Sequence, residues 1–314
     1  MPNRTTTRIF KKGSKTYFYN SLFFPSSVRD DVFTLYSFVR EADNFVDAVP
    51  QQVEGFYRFK AMYERAMAGE LSGDVVIDGF VELSRRKGFP RQWTDAFLRS
   101  MEMDITKDAY HNMAEVDTYI FGSAEVIGLY MSRILGLPEH THPYAQYLGK
   151  AMQYINFIRD INEDLDLGRS YFPRHDYEQF GLTGLTPGEA RATPEGFRAF
   201  VRKQIERYDE WQARAEEGFR YIPKRALIPI LNASEMYKWT ADRIREDPFV
   251  VYETKVKPSI PRILVTMGVN TLRSVAMEDL SGEDGGSSDD RGGQSGEVRE
   301  WRPIGSCEIG CHLS

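Results

Sequence analysis

The sequence predicts an all-α protein, and three observations support this prediction. Nearly every long segment has apolar residues at the 3.6-residue period of a helix. No run of residues alternates between apolar and polar as a strand would, and no internal repeat is found. Hydrophobic residues make up 41% of the 314 residues, which is enough to bury one large core. We therefore expect helices packed around a single core.

Five helices are predicted in the first half of the chain. Ser26 and Ser27 precede the first of them, which runs to about Asp47. The next four are expected at 52–69, 74–87, 91–106 and 115–136. Pro138 and Pro143 then bracket a turn, since proline interrupts a helical pattern.

The second half continues the helical pattern after one interruption. A helix at 142–166 leads into a loop from about 169 to 194, which holds several prolines and glycines and one short helical turn. Helices resume at 195–219 and 224–246, with a kink expected at Pro229, and a last one is expected at 259–276.

The end of the chain differs in composition from the rest. Residues 278–314 are polar and rich in glycine, so we expect a disordered tail after an all-α synthase domain of residues 1–277. Cys307, Cys311 and His312 offer three candidate zinc ligands in this tail, whereas a structural zinc site needs four. We interpret them as incidental.

Composition excludes several classes of protein. The net charge of −6 argues against binding to the phosphate backbone of nucleic acids. Both cysteines lie in the tail, so the body has no disulfide framework, which suits a reducing cytosol. The basic N-terminus lacks the apolar core of a signal peptide, and no segment reaches the ~20 apolar residues of a membrane span. We expect a cytoplasmic protein, and the sequence leaves its oligomeric state open.

The most informative segment lies between residues 153 and 173. Asn156, Asp160 and Asp164 are four residues apart, so on a helix they form one polar stripe. Gln153 and Arg159 lie next to this stripe on the helix surface, and the residues between them are mostly apolar. Carboxylate and amide oxygens at this spacing can hold a hard divalent cation such as Mg²⁺.

A second acidic stripe lies upstream. Asp43 and Asp47 are again four residues apart, with Arg40 one turn before Asp43 and Tyr36 one turn before Arg40. Like charges at this spacing destabilise a helix by about 0.2–0.5 kcal/mol, and by more when they are desolvated. One such pair is common on solvated helices, but two pairs with arginines nearby favour a metal site between facing helices.

Three motifs resemble those of the squalene/phytoene synthase family of head-to-head prenyl transferases. They are Ser14-Lys15-Thr16-Tyr17, then Arg40-x-x-Asp43-x-x-x-Asp47, and finally Gln153-x-x-Asn156-x-x-Arg159-Asp160-x-x-Glu163-Asp164 followed by Gly168-Arg169-x-Tyr171-x-Pro173. The small-residue segment from Tyr119 to Gly128 is similar to the helix beside the family's substrate channel. Asn44 departs from the pattern, since many relatives have a second acid there. The resemblance covers about residues 10–270.

The resemblance implies an isoprenoid-synthase-type helical bundle around a deep central cavity, with the two aspartate stripes facing each other near its mouth. Mg²⁺, or alternatively Mn²⁺, would be held by Asp43, Asp47, Asn156, Asp160 and Asp164. The substrate diphosphates would be bound by Ser14, Tyr36, Arg40, Gln153, Arg159, Arg169 and Tyr237. Catalysis would depend on Asp43, Asp47, Asp160, Asp164 and Tyr171.

For several of these residues an interpretation without a role in function also stays open. Tyr36 and Tyr171 could be plain core aromatics, since tyrosine is often buried for packing alone. Arg159 and Arg169 could be surface charges, although beside carboxylates a guanidinium fork suits a diphosphate better. Tyr237, together with Lys255 and Lys257, could equally belong to a solvated surface. Gly122, Ser123, Ala124 and Gly128 indicate close helix packing, or room for a long isoprenoid chain.

The implied reaction joins two allylic prenyl diphosphates through a cyclopropylcarbinyl diphosphate. Two geranylgeranyl diphosphates would give phytoene, and the lack of a C-terminal membrane anchor in the sequence favours this product. Two farnesyl diphosphates would give dehydrosqualene or, with a hydride from NADPH, squalene. A non-catalytic protein that binds an isoprenoid or a partner subunit is the alternative of a different class. Peripheral membrane association for product release is a further expectation.

Overall fold

The computed structural model of the chain describes residues 4–13, 15–259, 262–263, 265–266 and 268–270, without the side chains of residues 15–17. Contacts divide the chain into Met1–Val275 and Ala276–Ser314, and all described residues belong to the first unit. Ser14, the predicted tail with its two cysteines, and most of the predicted helix at 259–276 lie outside the described residues. The domain boundary at residue 277 therefore stays a prediction.

The prediction of an all-α fold is confirmed. The α-helices are α1 (Arg4–Gly13), α2 (Lys15–Ser21), α3 (Ser26–Asp47), α4 (Val53–Met67), α5 (Val75–Lys87), α6 (Arg91–Thr106), α7 (Met113–Ile120), α8 (Val126–Leu135), α9 (His142–Arg159), α10 (Ile161–Asp166), α11 (Arg174–Glu178), α12 (Pro187–Ala192), α13 (Pro194–Glu216) and α14 (Lys224–Glu246). A π-helical segment spans Phe121–Glu125, and short 3₁₀ turns occupy Glu139–Thr141, Glu217–Tyr221 and Pro248–Tyr252. In the described part of the chain the only β-pairing is an isolated bridge between Ala109 and Ser170.

The helix ends follow local residue chemistry. The four predicted helices between residues 26 and 106, and the one at 224–246, end within about two residues of the observed bounds. Asp74 caps α5 by accepting hydrogen bonds from the backbone of Val76 and Ile77. Gly88 ends the same helix in the left-handed conformation, with φ of 65°. These signals were visible in the sequence.

Two predicted helices are wrong in detail. The single helix expected at 115–136 is interrupted by the π-helical segment, which seats Gly122 against the carbonyl oxygen of Ala96 and the hydroxyl of Ser100. The helix expected at 142–166 is broken at Asp160, whose φ of −100° and ψ of 16° separate α9 from α10. Aspartate tolerates this break because its side chain competes for local hydrogen bonds.

Other elements were missed or shifted. The sequence did not predict α1 and α2 at the N-terminus, nor the 3₁₀ turn at Pro248–Tyr252. The loop at 169–194 holds two short helices, α11 and α12, where one helical turn was expected. The helix expected to end near residue 219 ends at Glu216 and continues as a 3₁₀ turn.

The core consists of two large hydrophobic clusters and a small third one. The first cluster comes mainly from α1–α6 and α8, and the second from α7, α9–α14 and the loop between α10 and α13. Helix α9 is central, since it packs against α13, α8, α14 and the π-helical segment. The second acidic stripe begins at the end of α9 and continues into α10.

Candidate active site

A cavity of about 900 Å³ lies among these helices. Most of its wall is apolar and comes from α2, α3, α6, α8, α9, α14 and the π-helical segment. The charged side chains on the wall are Lys12, Arg40, Asp43, Arg159 and Lys257. Tyr36, Gln153, Asn156 and Tyr237 also line the cavity, so these four predicted site residues share one surface. The predicted cavity is present, and five of the residues predicted to bind diphosphate line it, namely Tyr36, Arg40, Gln153, Arg159 and Tyr237.

The first acidic stripe lies at the end of α3. Arg40 Nη1 donates a hydrogen bond of 2.7 Å to Asp43 Oδ2. Burial at the cavity wall, and secondly the neighbouring Asp47 carboxylate, raise the pKa of Asp43 to about 7 even though 31% of its side chain is exposed. Asp47 is not on the cavity wall, and 43% of its side chain is exposed. The stripe therefore has one member inside the cavity and one at its edge.

The second acidic stripe continues across the break between α9 and α10. The backbone N–H groups of Asp160 and Asp164 each donate to the carbonyl four residues earlier, at 2.8 Å, so the side chains keep the helical spacing. Arg159 forms a two-pronged ion pair with Asp160. Burial, and then the Asp160 carboxylate, raise the pKa of Asp164 to about 8.

Asn156 and Lys257 show what the cavity wall can bind. Asn156 Oδ1 is buried and has no hydrogen-bond partner among the described residues. A buried acceptor without a partner is costly, so this oxygen suits a donor or a cation brought by a ligand. Burial and the nearby cations Lys255 and Arg159 lower the pKa of Lys257. Crowded cations of this kind favour an anionic ligand.

Arg169 joins the two stripes. Its Nη1 donates to Asp47 Oδ1 at 3.1 Å, and its Nη2 donates to the carbonyl oxygen of Val46. The backbone N–H of Arg169 donates to the carbonyl oxygen of Asp164 at 2.8 Å. Only 7% of the Arg169 side chain is exposed, so the surface interpretation of this arginine is wrong. The residue ties the end of α3 to the loop that follows α10.

Asp104 lies beside Arg169 and was not predicted from the sequence as a site residue. This buried carboxylate accepts hydrogen bonds of 2.8 Å from the hydroxyls of Tyr119 and Tyr171, and it lies 3.9 Å from Arg169 Nη1. Burial raises its pKa to about 6, against the opposing effect of Arg169 and the two hydroxyls. One signal was available: Asp104 continues the apolar face of α6 that contains Trp93.

Tyr171 is placed in the core, away from the cavity wall. Its side chain is 6% exposed, and its ring stacks on Phe157 with 4.2 Å between ring centroids. Its hydroxyl contacts Asp104 and Tyr119. The predicted catalytic role of Tyr171 thus stays a prediction, and direct contact with a diphosphate would require a rearrangement. Asp47, Asp160, Asp164 and Arg169 also lie outside the cavity wall itself.

The donor atoms fit a hard cation. All five candidate ligands present oxygen, which is the donor that Mg²⁺ prefers. The unpaired Asn156 oxygen and the raised pKa values of Asp43 and Asp164 are both features that a nearby cation would relieve. Among the described residues no three acidic, histidine or cysteine side chains are already grouped closely enough to hold a metal ion. Three of the candidate acids, Asp43, Asp160 and Asp47, instead form ion pairs with Arg40, Arg159 and Arg169, respectively.

Comparison with known proteins gives a consistent result. The sequence pattern of the family "Squalene/phytoene synthase" matches residues 10–263. The chain is 27% identical over 280 residues to a 15-cis-phytoene synthase of Synechocystis sp., which covers 83% of this chain and 82% of that protein. It is 26% identical over 277 residues to a 15-cis-phytoene synthase of Paracoccus sp., covering 84% and 89%.

Solved structures show the same fold. A dehydrosqualene synthase in complex with a ligand aligns with a TM-score of 0.74 at 20% identity, covering 87% of this chain and 96% of the other. A squalene synthase from Alicyclobacillus acidocaldarius aligns with a TM-score of 0.68 at 22% identity, covering 78% and 93%. At this level of identity the likeness concerns the fold alone.

Proposed function

The chain belongs to the squalene/phytoene synthase family of head-to-head prenyl transferases, and from this premise we propose that it converts two geranylgeranyl diphosphates into 15-cis-phytoene. One observation carries the proposal, namely an apolar cavity of about 900 Å³ whose charged wall residues come mainly from the two motif helices. The curated phytoene synthases among the relatives support the choice of product.

The charged side of the cavity can bind the leaving diphosphate. Arg40, Arg159 and Lys257 supply cations on the wall, and guanidinium forks suit phosphate oxygens. Mg²⁺ bound at the oxygens of Asp43, Asp47, Asn156, Asp160 and Asp164 would neutralise the leaving group and so favour ionisation of the allylic C–O bond. Tyr36 and Gln153 would orient the same diphosphate from the neighbouring wall.

The apolar wall surrounds the carbocations that form after ionisation. The second substrate's double bond attacks C1 of the allylic cation, and loss of a proton closes the cyclopropane of the intermediate. That intermediate keeps its own diphosphate, ionises in turn, rearranges and loses a proton to give phytoene. Side chains such as Phe97, Met101 and Ile127 exclude water, which would otherwise quench the cations.

The product can be tested directly. The purified protein should be incubated with Mg²⁺ and either geranylgeranyl or farnesyl diphosphate, with and without NADPH, followed by mass analysis of the hydrocarbon. Phytoene from geranylgeranyl diphosphate without NADPH is expected. Preference for farnesyl diphosphate would identify dehydrosqualene, or squalene if NADPH is required. If no combination yields hydrocarbon, the proposed activity is wrong, and the non-catalytic alternative is then tested by measuring prenyl diphosphate binding.

A peripheral membrane association of a cytoplasmic enzyme would complete this function. No described helix is both long and apolar enough to cross a membrane. Tyr19, Leu22 and Phe23 are exposed at 43%, 43% and 38%, and the adjacent Phe24 lines the cavity. Exposed basic residues such as Lys11 lie on the preceding helix, which suits an anionic lipid surface.

Vesicle flotation tests this association. Binding to vesicles of phosphatidylglycerol and phosphatidylcholine is expected to weaken in Leu22→Asp. Leu71→Asp is the matched control, because Leu71 is 90% exposed elsewhere on the chain. Equal binding of both variants would show that this apolar patch is not the contact surface.

A further inference from the structure

Two tyrosine hydroxyls hold the Asp104 carboxylate in place. Tyr119 on α7 and Tyr171 after α10 each donate a hydrogen bond of 2.8 Å to its carboxylate, one to each oxygen. The two hydroxyls also lie 3.3 Å apart, and Tyr110 stacks on Tyr171. The aspartate is only 6% exposed, so its carboxylate has little freedom to turn.

The fixed carboxylate faces Arg169. Asp104 Oδ1 lies 3.9 Å from Arg169 Nη1, which is the same nitrogen that donates to Asp47. The backbone of Asp104 takes part as well, because Gln51 Nε2 donates both to its carbonyl oxygen at 2.8 Å and to that of Val46 at 2.9 Å. The ends of α3 and α6 are therefore connected twice, once through Arg169 and once through Gln51.

We propose that Asp104 is a positioning residue, which holds the Arg169 guanidinium so that Asp47 and the second acidic stripe keep a fixed separation. This inference rests on the proposed metal-dependent function. Asp104 is not on the cavity wall and would touch neither substrate nor metal. Its action passes through Arg169, whose backbone already contacts Asp164.

A purely structural role would not call for this charge. A buried carboxylate pays a large desolvation cost, and apolar residues of similar volume often replace buried ion pairs without loss of stability. The Asp104–Arg169 pair is better explained as an arrangement that fixes the position of the guanidinium. Residues that orient metal ligands from behind change metal affinity by about 10–100-fold when they are removed.

The test measures binding by calorimetry, without turnover. Mg²⁺ is titrated into the full-length protein in the presence of inorganic diphosphate, for wild type, Asp104→Asn, Arg169→Gln and the double variant. Asp104→Asn should weaken Mg²⁺ binding by about tenfold or more. In the Arg169→Gln background it should change binding less than about twofold, because the effect of Asp104 passes through the Arg169 guanidinium, which that background lacks.

Two controls separate positioning from folding. Glu102→Gln removes a carboxylate from the same helix, where Glu102 pairs with Lys60 at 3.1 Å, and it should leave Mg²⁺ affinity unchanged. Tyr119→Phe removes one hydrogen bond but keeps the Asp104 charge, so it should weaken Mg²⁺ binding less than Asp104→Asn does. It also serves as the test variant if Asp104→Asn fails to fold. The Tm of each variant is measured alongside.

The outcomes are distinct. If Asp104→Asn and Tyr119→Phe bind Mg²⁺ as wild type does, or if the Asp104 effect is equally large without Arg169, the positioning role is wrong while the proposed function stands. A loss of binding that follows a matching fall in Tm would show a structural role only. Wild-type protein that binds no Mg²⁺ with diphosphate would overturn both proposals.

Discussion

Gly149 on α9 lies directly against the carbonyl oxygen of Ala124 in the π-helical segment. A methyl group at position 149 would be 2.3 Å from that oxygen, which is closer than non-bonded atoms approach. Gly128 stands in the same relation to Ala145, at 2.1 Å. Of the two interpretations of the small-residue segment, close helix packing is therefore correct. The interpretation that these small residues leave room for an isoprenoid chain also has support, because Gly128 and Gly149 both line the cavity.

Gly149→Ala should destabilise the fold. The opposing carbonyl of Ala124 cannot move away without shifting the π-helical segment relative to α9, and overpacking of this kind costs about 1–3 kcal/mol. Urea denaturation followed by circular dichroism measures the effect. Gly188→Ala on α12 is the matched control, since no atom lies within 4 Å of the added methyl, and it should leave stability unchanged or slightly higher. Equal stability of both variants would contradict the packing argument.

Asp43→Asn and Asp160→Asn should each lower turnover by about a hundredfold or more, on the order of 3 kcal/mol in the barrier, because metal-assisted ionisation is lost. Both variants should remain folded, since each acid lies next to another carboxylate. Asp166→Asn, at the exposed end of α10, should retain activity. Hydrocarbon yields near wild type in either stripe variant would remove these acids from the mechanism.

Metal removal should abolish activity reversibly. We expect turnover to vanish in excess EDTA and to return on addition of Mg²⁺, whereas Zn²⁺ should serve poorly because every candidate ligand offers oxygen. The assay is hydrocarbon formation at matched free-metal concentrations. Undiminished activity in the chelator would rule out the metal-dependent step.

The metal-free protein should lose stability as the pH rises. The pKa values of Asp43 and Asp164 are raised from 3.8 to about 7 and about 8, so the folded chain binds these protons more tightly than the unfolded chain does. The free energy of unfolding therefore decreases as the pH rises from 3.8 to the raised pKa values of the folded protein. Tm in EDTA should fall from pH 6 to about pH 8 and then level off, and the fall should be smaller in Asp43→Asn.

Asp78→Asn provides the control for this pH dependence. Hydrogen bonds from Ser72 lower the pKa of Asp78, so its contribution to stability is already complete at pH 6. Its replacement should lower Tm by a constant amount between pH 6 and pH 9 without changing the slope. A flat wild-type profile would show that Asp43 and Asp164 are already ionised in the folded protein at pH 6.

Asn20→Leu should raise stability. Asn20 is 3% exposed, lines the cavity and has no hydrogen-bond partner for either amide atom among the described residues. An unsatisfied buried polar group costs about 1–3 kcal/mol, which leucine would avoid. Asn112→Leu is the opposite control, since Asn112 caps α7 by accepting from the Glu115 N–H at 3.0 Å. An unchanged or lower unfolding free energy for Asn20→Leu would indicate that water satisfies the amide.

The sequence predicted those parts of the molecule that depend on local chemistry. Helix α3 and its acidic stripe follow from the helical spacing of the residues, and both lie where expected. Asp104 could not be assigned in this way, because its partners Tyr119 and Tyr171 are distant in the chain. Its position on an apolar helix face was visible, but which residues meet it is decided by tertiary packing.

The placement of Arg169 shows the same limit. Its motif predicted a residue at the diphosphate, whereas its guanidinium is buried against Asp47 and Val46. Likewise, the break at Asp160 was not visible in a segment whose period favoured one continuous helix. Local pattern identified the participating residues, and only the packed structure shows which contacts they make.

The cavity wall is charged in one part and apolar over most of the rest, and this difference affects how a product leaves the cavity. Arg40, Arg159 and Lys257 can bind a diphosphate, but a finished hydrocarbon has no charged group for them to bind and contacts the apolar part of the wall. Its transfer into water is unfavourable by about 25 cal/mol for each Å² exposed. Escape in dilute buffer would then be slow, and the clearance of product, not bond making, would limit the catalytic cycle until a lipid or detergent phase accepts it.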